Sequence, residues 1–143
     1  MNHCKELKTE EIKDVLQRGE YAVLAITDGN EPYALSLCYG MDKDKLALYF
    51  LTDKGGLKLD FLKSNPYVCG TVVIQNPGKE GSPHGYRSVV FRGVMEVIHD
   101  PTEQATARLI LEEGSEFHGE KREVPHPMVM KLEWDEISGR NSC

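Results

Sequence analysis

Apolar and polar positions along the chain sort into short runs of two kinds. "YAVLAIT" (21–27) is almost continuously apolar and reads as a strand buried on both faces. "YALSLCY" (33–39) is a second strand, with Pro32 at its entrance, where a missing N–H does least harm. "DGNE" between them has the composition of a hairpin turn. "LALYFLT" (46–52) and "YVCGTVVIQ" (67–75) supply two more strands. Gly70, inside the fourth, marks either a bulge or the close approach of another group. "RSVVFRGVMEVI" (87–98) sets Val89, Phe91, Met95 and Val97 on one face. "MVMKLEW" (128–134) alternates Met128, Met130, Leu132 and Trp134 against Val129, Lys131 and Glu133.

Three segments carry the helical period instead. In "TEEIKDVLQR" (9–18), Ile12, Val15 and Leu16 share a face, Thr9 is placed to cap the start, and Gly19 follows the end. "LKLDFLKS" (57–64) puts Leu57, Phe61 and Leu62 on one side, and Asn65-Pro66 stops it. Asp100-Pro101 opens a helix over 102–113, whose inward residues are expected to be Ala105, Leu109 and Ile110. Short strands joined by hairpin-length turns pair antiparallel, and closing the sheet removes its edges. The expected fold is mainly β: a six-stranded antiparallel barrel with peripheral helices, forming one domain over residues 1–143. The Gly- and Pro-containing loop at 76–86 is long enough to be a functional or a mobile segment, ordered only by ligand contacts.

Composition narrows the function. The net charge of −6 has the wrong sign for a reader of nucleic-acid phosphates. Apolar runs are too short to span a membrane, and "MNHCKELKTEE" has no apolar signal core, so a cytoplasmic protein is expected. Cysteines at 4, 38, 69 and 143 match no zinc-knuckle or C-x-x-C spacing. Cys38 and Cys69 lie in apolar runs and are expected to be buried thiols. His118 and His126 flank one loop without a third ligand, so no metal site is expected. Motifs of the G-x-S-x-G and H-E-x-x-H type are missing too, which leaves the chemistry to a cofactor.

Three stretches carry the candidate chemistry. At the end of the third strand, Thr52, Gly55, Gly56 and Lys58 combine a hydroxyl, room for close approach and a cation beside a helix start. That is the donor set a phosphate needs. A plain strand-to-helix turn with a solvated lysine uses the same residues, and on spacing alone it is the commoner outcome. Arg87 and Ser88 open the fifth strand, where a guanidinium and a hydroxyl can reach a phosphate or a heteroaromatic carbonyl, or simply face solvent. Leu35, Ser36, Leu37 and Cys38 form a strand that can offer its backbone to the edge of a planar ligand, or be an ordinary half-buried strand.

Taken in this order, the three stretches resemble the pyridoxamine 5′-phosphate oxidase-related family of FMN-binding split barrels. The branch resembled most is that of the 5-nitroimidazole resistance reductases. That branch carries H-[ST]-A-x-x-G-x-K at the end of its third strand, and Thr52, Gly56 and Lys58 match it here. A Y-R-S-V strand followed by glycine is matched by Tyr86, Arg87, Ser88, Val89 and Gly93, and the closing S-G-[KR] by Ser138, Gly139 and Arg140. The resemblance implies that Thr52 and Lys58 bind the FMN phosphate, with Leu51 beside them. It puts Arg87 and Ser88 close to the flavin and Leu35 to Cys38 at the isoalloxazine edge. It further implies a homodimer with FMN at the subunit interface and a small-molecule substrate. Leu51 replaces a histidine common in that branch, which sets this chain apart from the nitroimidazole reductases. Trp134 and Arg140 match the family's substrate residues only loosely. The expectation is an FMN-dependent oxidoreductase. The alternatives are a non-enzymatic flavin- or haem-binding module and a cofactor-free dimerising barrel.

Overall fold

The computed structural model describes residues 5–42, 44, 47–53, 57–75, 85–114 and 127–142, the side chains of residues 57, 58 and 114 excepted. The 76–86 loop up to residue 84, His118 and His126, and the Lys54-Gly55-Gly56 corner fall outside the described residues.

Among the described residues nine elements follow in order: α1 (Thr9–Arg18), β1 (Tyr21–Thr27), β2 (Pro32–Asp42), β3 (Ala47–Asp53), α2 (Leu57–Ser64), β4 (Tyr67–Gln75), β5 (Tyr86–Val97), α3 (Pro101–Gly114) and β6 (Pro127–Asn141). The strands close into a barrel in the order β1-β2-β3-β6-β5-β4, every pair antiparallel. The expected mainly-β barrel with peripheral helices is therefore the fold.

Local chemistry accounts for the joints. In the β1–β2 hairpin the Asp28 carboxylate accepts the N–H groups of Asn30 (2.8 Å) and Glu31 (2.7 Å). Gly29 takes φ +97°, which an L side chain rarely adopts. Asn65 ends α2, its N–H donating to Phe61 O, and Asn65 Oδ1 then receives the Tyr67 N–H at 3.0 Å. Asp100 caps α3 through Oδ2, which accepts the Glu103 N–H at 2.9 Å.

The barrel interior takes one face of each strand. Leu24, Phe50, Val72, Phe91, Met130 and Leu132 are buried within one cluster, with α1 contributing Val15 and Leu16 and α2 contributing Phe61. Gly70 is where two of these side chains come through: a Cβ there would lie 2.6 Å from the Phe91 ring and 2.8 Å from Leu24. Of the two readings of Gly70, close approach is the one realised. The irregularity falls instead on β5, between Arg92 and Gly93. A second cluster of Tyr49, Ile98, Ala107 and Val129 lies under α3 on the barrel's outer side.

Several expectations need correction. β1 is not buried on both faces: Ala22, Leu24 and Ile26 are buried, whereas Tyr21, Val23 and Ala25 are exposed, because the described chain covers only the inner side. Helix α3 turns Ala107, Ile110 and Leu111 inward, leaving Ala105 exposed and Leu109 63% exposed. Three apolar residues at 105, 109 and 110 fitted a helical face, but the groove over β2 and β3 selects the stripe through Ala107 instead. Thr9 is the first helical residue, and Lys8, in extended geometry, holds the cap position. The Lys8 N–H is received by Glu11 Oε1 at 2.9 Å. Cys69 is exposed and Cys38 half-buried, since both point outward from their strands. Finally, β6 runs seven residues beyond Trp134, because β5 continues to offer it backbone partners as far as Arg87↔Asn141.

Candidate functional site

The barrel wall is incompletely paired between β1 and β4, with three residue pairs, and between β2 and β3, with four. β2 pairs with β1 from Pro32 to Cys38, and with β3 only from Tyr39 to Asp42, opposite Ala47 to Phe50. Beyond Tyr39↔Phe50 the two strands part: Leu51, Thr52 and Asp53 pair with β6 alone. From Leu35 to Leu37, then, the β2 edge facing β3 has no ladder partner among the described residues. A strand edge of this kind presents alternating N–H and C=O groups, which a flat heterocycle with polar edges can use.

Six of the residues singled out in the sequence line this β2–β3 seam. Leu35 and Leu37 are half-buried against the core, while Ser36 is exposed and Cys38 half-buried on the other face. Across the seam, Leu51 packs against the cluster under α3. Thr52 is 4% exposed, and its hydroxyl makes no hydrogen bond among the described residues. Helix α2 begins five residues after Thr52, which puts Lys58 in its first turn.

Arg87 and Ser88 sit apart from this group. β5 starts at the barrel end where β6 finishes, and Arg87 pairs with Asn141 and Ser88 with Arg140. On β6, which pairs with both β3 and β5, Thr52 lies opposite Met128 whereas Ser88 and Arg87 lie opposite Arg140 and Asn141, at the other end of that strand. Arg87 is also occupied: Nε donates to Asn141 Oδ1 at 2.9 Å and Nη2 to Glu11 Oε2 at 3.2 Å. Glu11 was not foreseen as part of this arrangement, because the cap three residues before it is Lys8 rather than the Ser or Thr of a capping-box signature. Asn141 has no sequence signal either.

Electrostatics separates held groups from free ones. The Glu11 carboxyl lies below its ordinary value, chiefly because it accepts the Lys8 N–H, with the Arg87 charge assisting. Burial pushes the Tyr39 phenol far up, and its O–H donates to Leu16 O at 2.5 Å, tying α1 to the barrel. Lys131 is raised chiefly by its hydrogen bond to Glu133, and it also bridges to Glu103 of α3 at 3.4 Å. Among the described residues no group of three or more His, Cys, Asp or Glu could hold a metal ion.

The outer surface is uneven. Helix α3 covers β2, β3 and β6. Over β1, β4 and β5 the outward residues Tyr21, Val23, Tyr67, Val73, Val90 and Val94 are each between 37% and 64% exposed. The register makes them neighbours: Val23↔Thr71↔Val90 and Tyr67↔Val94.

A six-stranded split barrel, with a partly unpaired β2–β3 seam and an apolar flank that no described residue covers, defines the class of this protein. Residues 8–141 match the family described as pyridoxamine 5′-phosphate oxidase. The chain belongs to that family of flavin-binding split barrels. No curated protein matches it. Among solved structures it is similar to a candidate 5-nitroimidazole antibiotic resistance protein from Bacteroides thetaiotaomicron, at 21% identity and TM-score 0.79, over 98% of this chain and 89% of that one. An FAD-binding protein from Mesorhizobium loti matches at 21% identity and TM-score 0.78, over 99% and 100%. The flavocytochrome Anf3 from Azotobacter vinelandii matches at 18% and 0.71, over 95% and 68%. At these identities the likeness is one of fold.

Proposed function

We propose that this protein binds FMN in the β2–β3 seam, as a homodimer, and uses it as an oxidoreductase on a small molecule. One observation carries the reading. The seam sets the β2 edge at Leu35–Leu37, which has no ladder partner in β3, beside Thr52, a largely buried residue whose hydroxyl no described residue engages. The residues fit the cofactor's two ends. Thr52 and the first turn of α2, with Lys58, would take the phosphate, and the β2 edge would meet the isoalloxazine. Arg87 and Ser88 would reach the flavin from the far end of the barrel. FMN supplies the hydride or electron chemistry, and the chain supplies binding and orientation.

The apolar flank on β1, β4 and β5 supports the dimer, because a contiguous patch of this character on a monomer is usually covered. Ser88 borders that flank through its pairing with Val73, so a partner copy would bring its own residues to the rim of the site. Among the described residues no helix is long and apolar enough to cross a membrane. Cys69, an exposed thiol, suits a reducing cytoplasm.

The test is the absorption spectrum of the purified protein, followed by titration of the cofactor-free form with FMN and FAD. A flavin spectrum with preference for FMN, and reduction by a nicotinamide donor, is the expected result. A Soret band would point to a haem module instead, and flavin that no donor reduces would point to a carrier. No chromophore and no flavin affinity would overturn the proposal.

A further inference from the structure

At the start of β5, closure of the barrel brings Arg87 together with Glu11 of α1 and with Asn141, its cross-strand partner on β6. Arg87 is only 14% exposed at its side chain, and it reaches α1 on one side and the end of β6 on the other. A guanidinium has five donors in one rigid plane. Two hydrogen bonds from different nitrogens, Nε and Nη2, define that plane. Nη1 makes no hydrogen bond among the described residues. The two acceptors are themselves held. Glu11 Oε1 accepts the Lys8 N–H at 2.9 Å, and the Asn141 N–H donates to Lys5 O at 2.9 Å.

We infer that Glu11 and Asn141 are positioning residues for Arg87, fixing its guanidinium so that the Nη1 edge is presented to the flavin. This rests on the flavin reading given above. Neither acceptor needs to touch the ligand. Glu11 also offsets part of the arginine's charge, so the ligand meets an oriented donor rather than a bare cation. The competing role for the pair, a clamp that only holds α1 to the barrel, gives different numbers in a double-mutant cycle.

Flavin affinity is measured by fluorescence titration for Glu11→Ala, Asn141→Ala and Arg87→Ala, and for each of the first two combined with Arg87→Ala. Melting of each apo form is recorded alongside, with the visible circular dichroism of the bound flavin. Glu11→Ala and Asn141→Ala are expected to weaken binding about three- to ten-fold with Arg87 present, and to have no effect once it is gone. Their flavin dichroism is expected to move toward that of Arg87→Ala. Asn141→Ala leaves the α1 cap intact, so it carries the test if Glu11→Ala fails to fold. Losses that multiply independently of Arg87 would overturn the inference and leave the clamp. If wild-type protein binds flavin and Arg87→Ala binds it equally well, the inference falls while the seam stands. If wild-type protein binds no flavin, both fall.

Discussion

Thr52→Val is the perturbation that most directly tests the seam. Valine keeps the β-branched shape and removes only the hydroxyl. Thr52 is 4% exposed and its hydroxyl has no partner among the described residues, so the apo protein loses no internal hydrogen bond. None of the described residues buries an orphaned side-chain polar atom, so the Thr52 hydroxyl carries no burial penalty that valine would relieve. Apo stability should therefore change by less than about 1 kcal/mol, which is about 2–4 °C for a domain near this size. Binding, by contrast, should weaken. A hydrogen bond to a charged phosphate contributes about 1.5–3 kcal/mol, so FMN affinity should fall about ten- to a hundred-fold. With FMN at a thousand times the wild-type Kd, wild-type protein gains about 4.1 kcal/mol, and a hundred-fold weaker variant gains only about 1.4 kcal/mol. Fluorescence titration and thermal melts with and without FMN measure both effects. Undiminished affinity would refute the phosphate role. A fall of several degrees in the apo melting temperature would show that the hydroxyl serves the fold instead.

Lys58→Met should also lower FMN affinity about ten- to a hundred-fold, with Lys54→Met as the nearly silent control, both read at two salt concentrations. Equal losses in the two would indicate a diffuse field rather than a contact. Val23→Asp, on the apolar flank, should shift sedimentation from dimer to monomer, because burying an unpaired carboxylate is strongly unfavourable; an unchanged dimer would place the interface elsewhere. Glu11 titrates below its ordinary value in the folded protein, so its contribution is complete above about pH 4.5 and is lost as pH falls through the lowered value. Glu11→Gln should accordingly flatten the acid limb of the stability curve, and identical acid limbs would mean that the carboxylate's partners contribute nothing.

Sequence alone determined what local chemistry controls. The β1–β2 hairpin, the stop at Asn65-Pro66 and the Asp100 cap each depend on residues a few positions apart, and all lie where the sequence predicts. The alternation on β5 and β6 likewise marked an inner face before any fold was known, since a strand repeats every two residues. Which apolar residues end up covered was not legible. Val23 and Leu109 look as apolar in the chain as Leu24 and Ile110, and only the placement of α3 and of the closed sheet exposes the first pair. The seam has the same origin. β2 changes partner between Cys38 and Tyr39 because a closed, staggered barrel cannot keep both neighbours in register along the whole strand, and no residue in "SLCYG" announces it. The Glu11–Arg87–Asn141 contact joins positions 76 and 54 residues apart in sequence. Long-range pairs of this kind are decided by closure of the barrel, because only closure brings the first helix and the last strand to the same end.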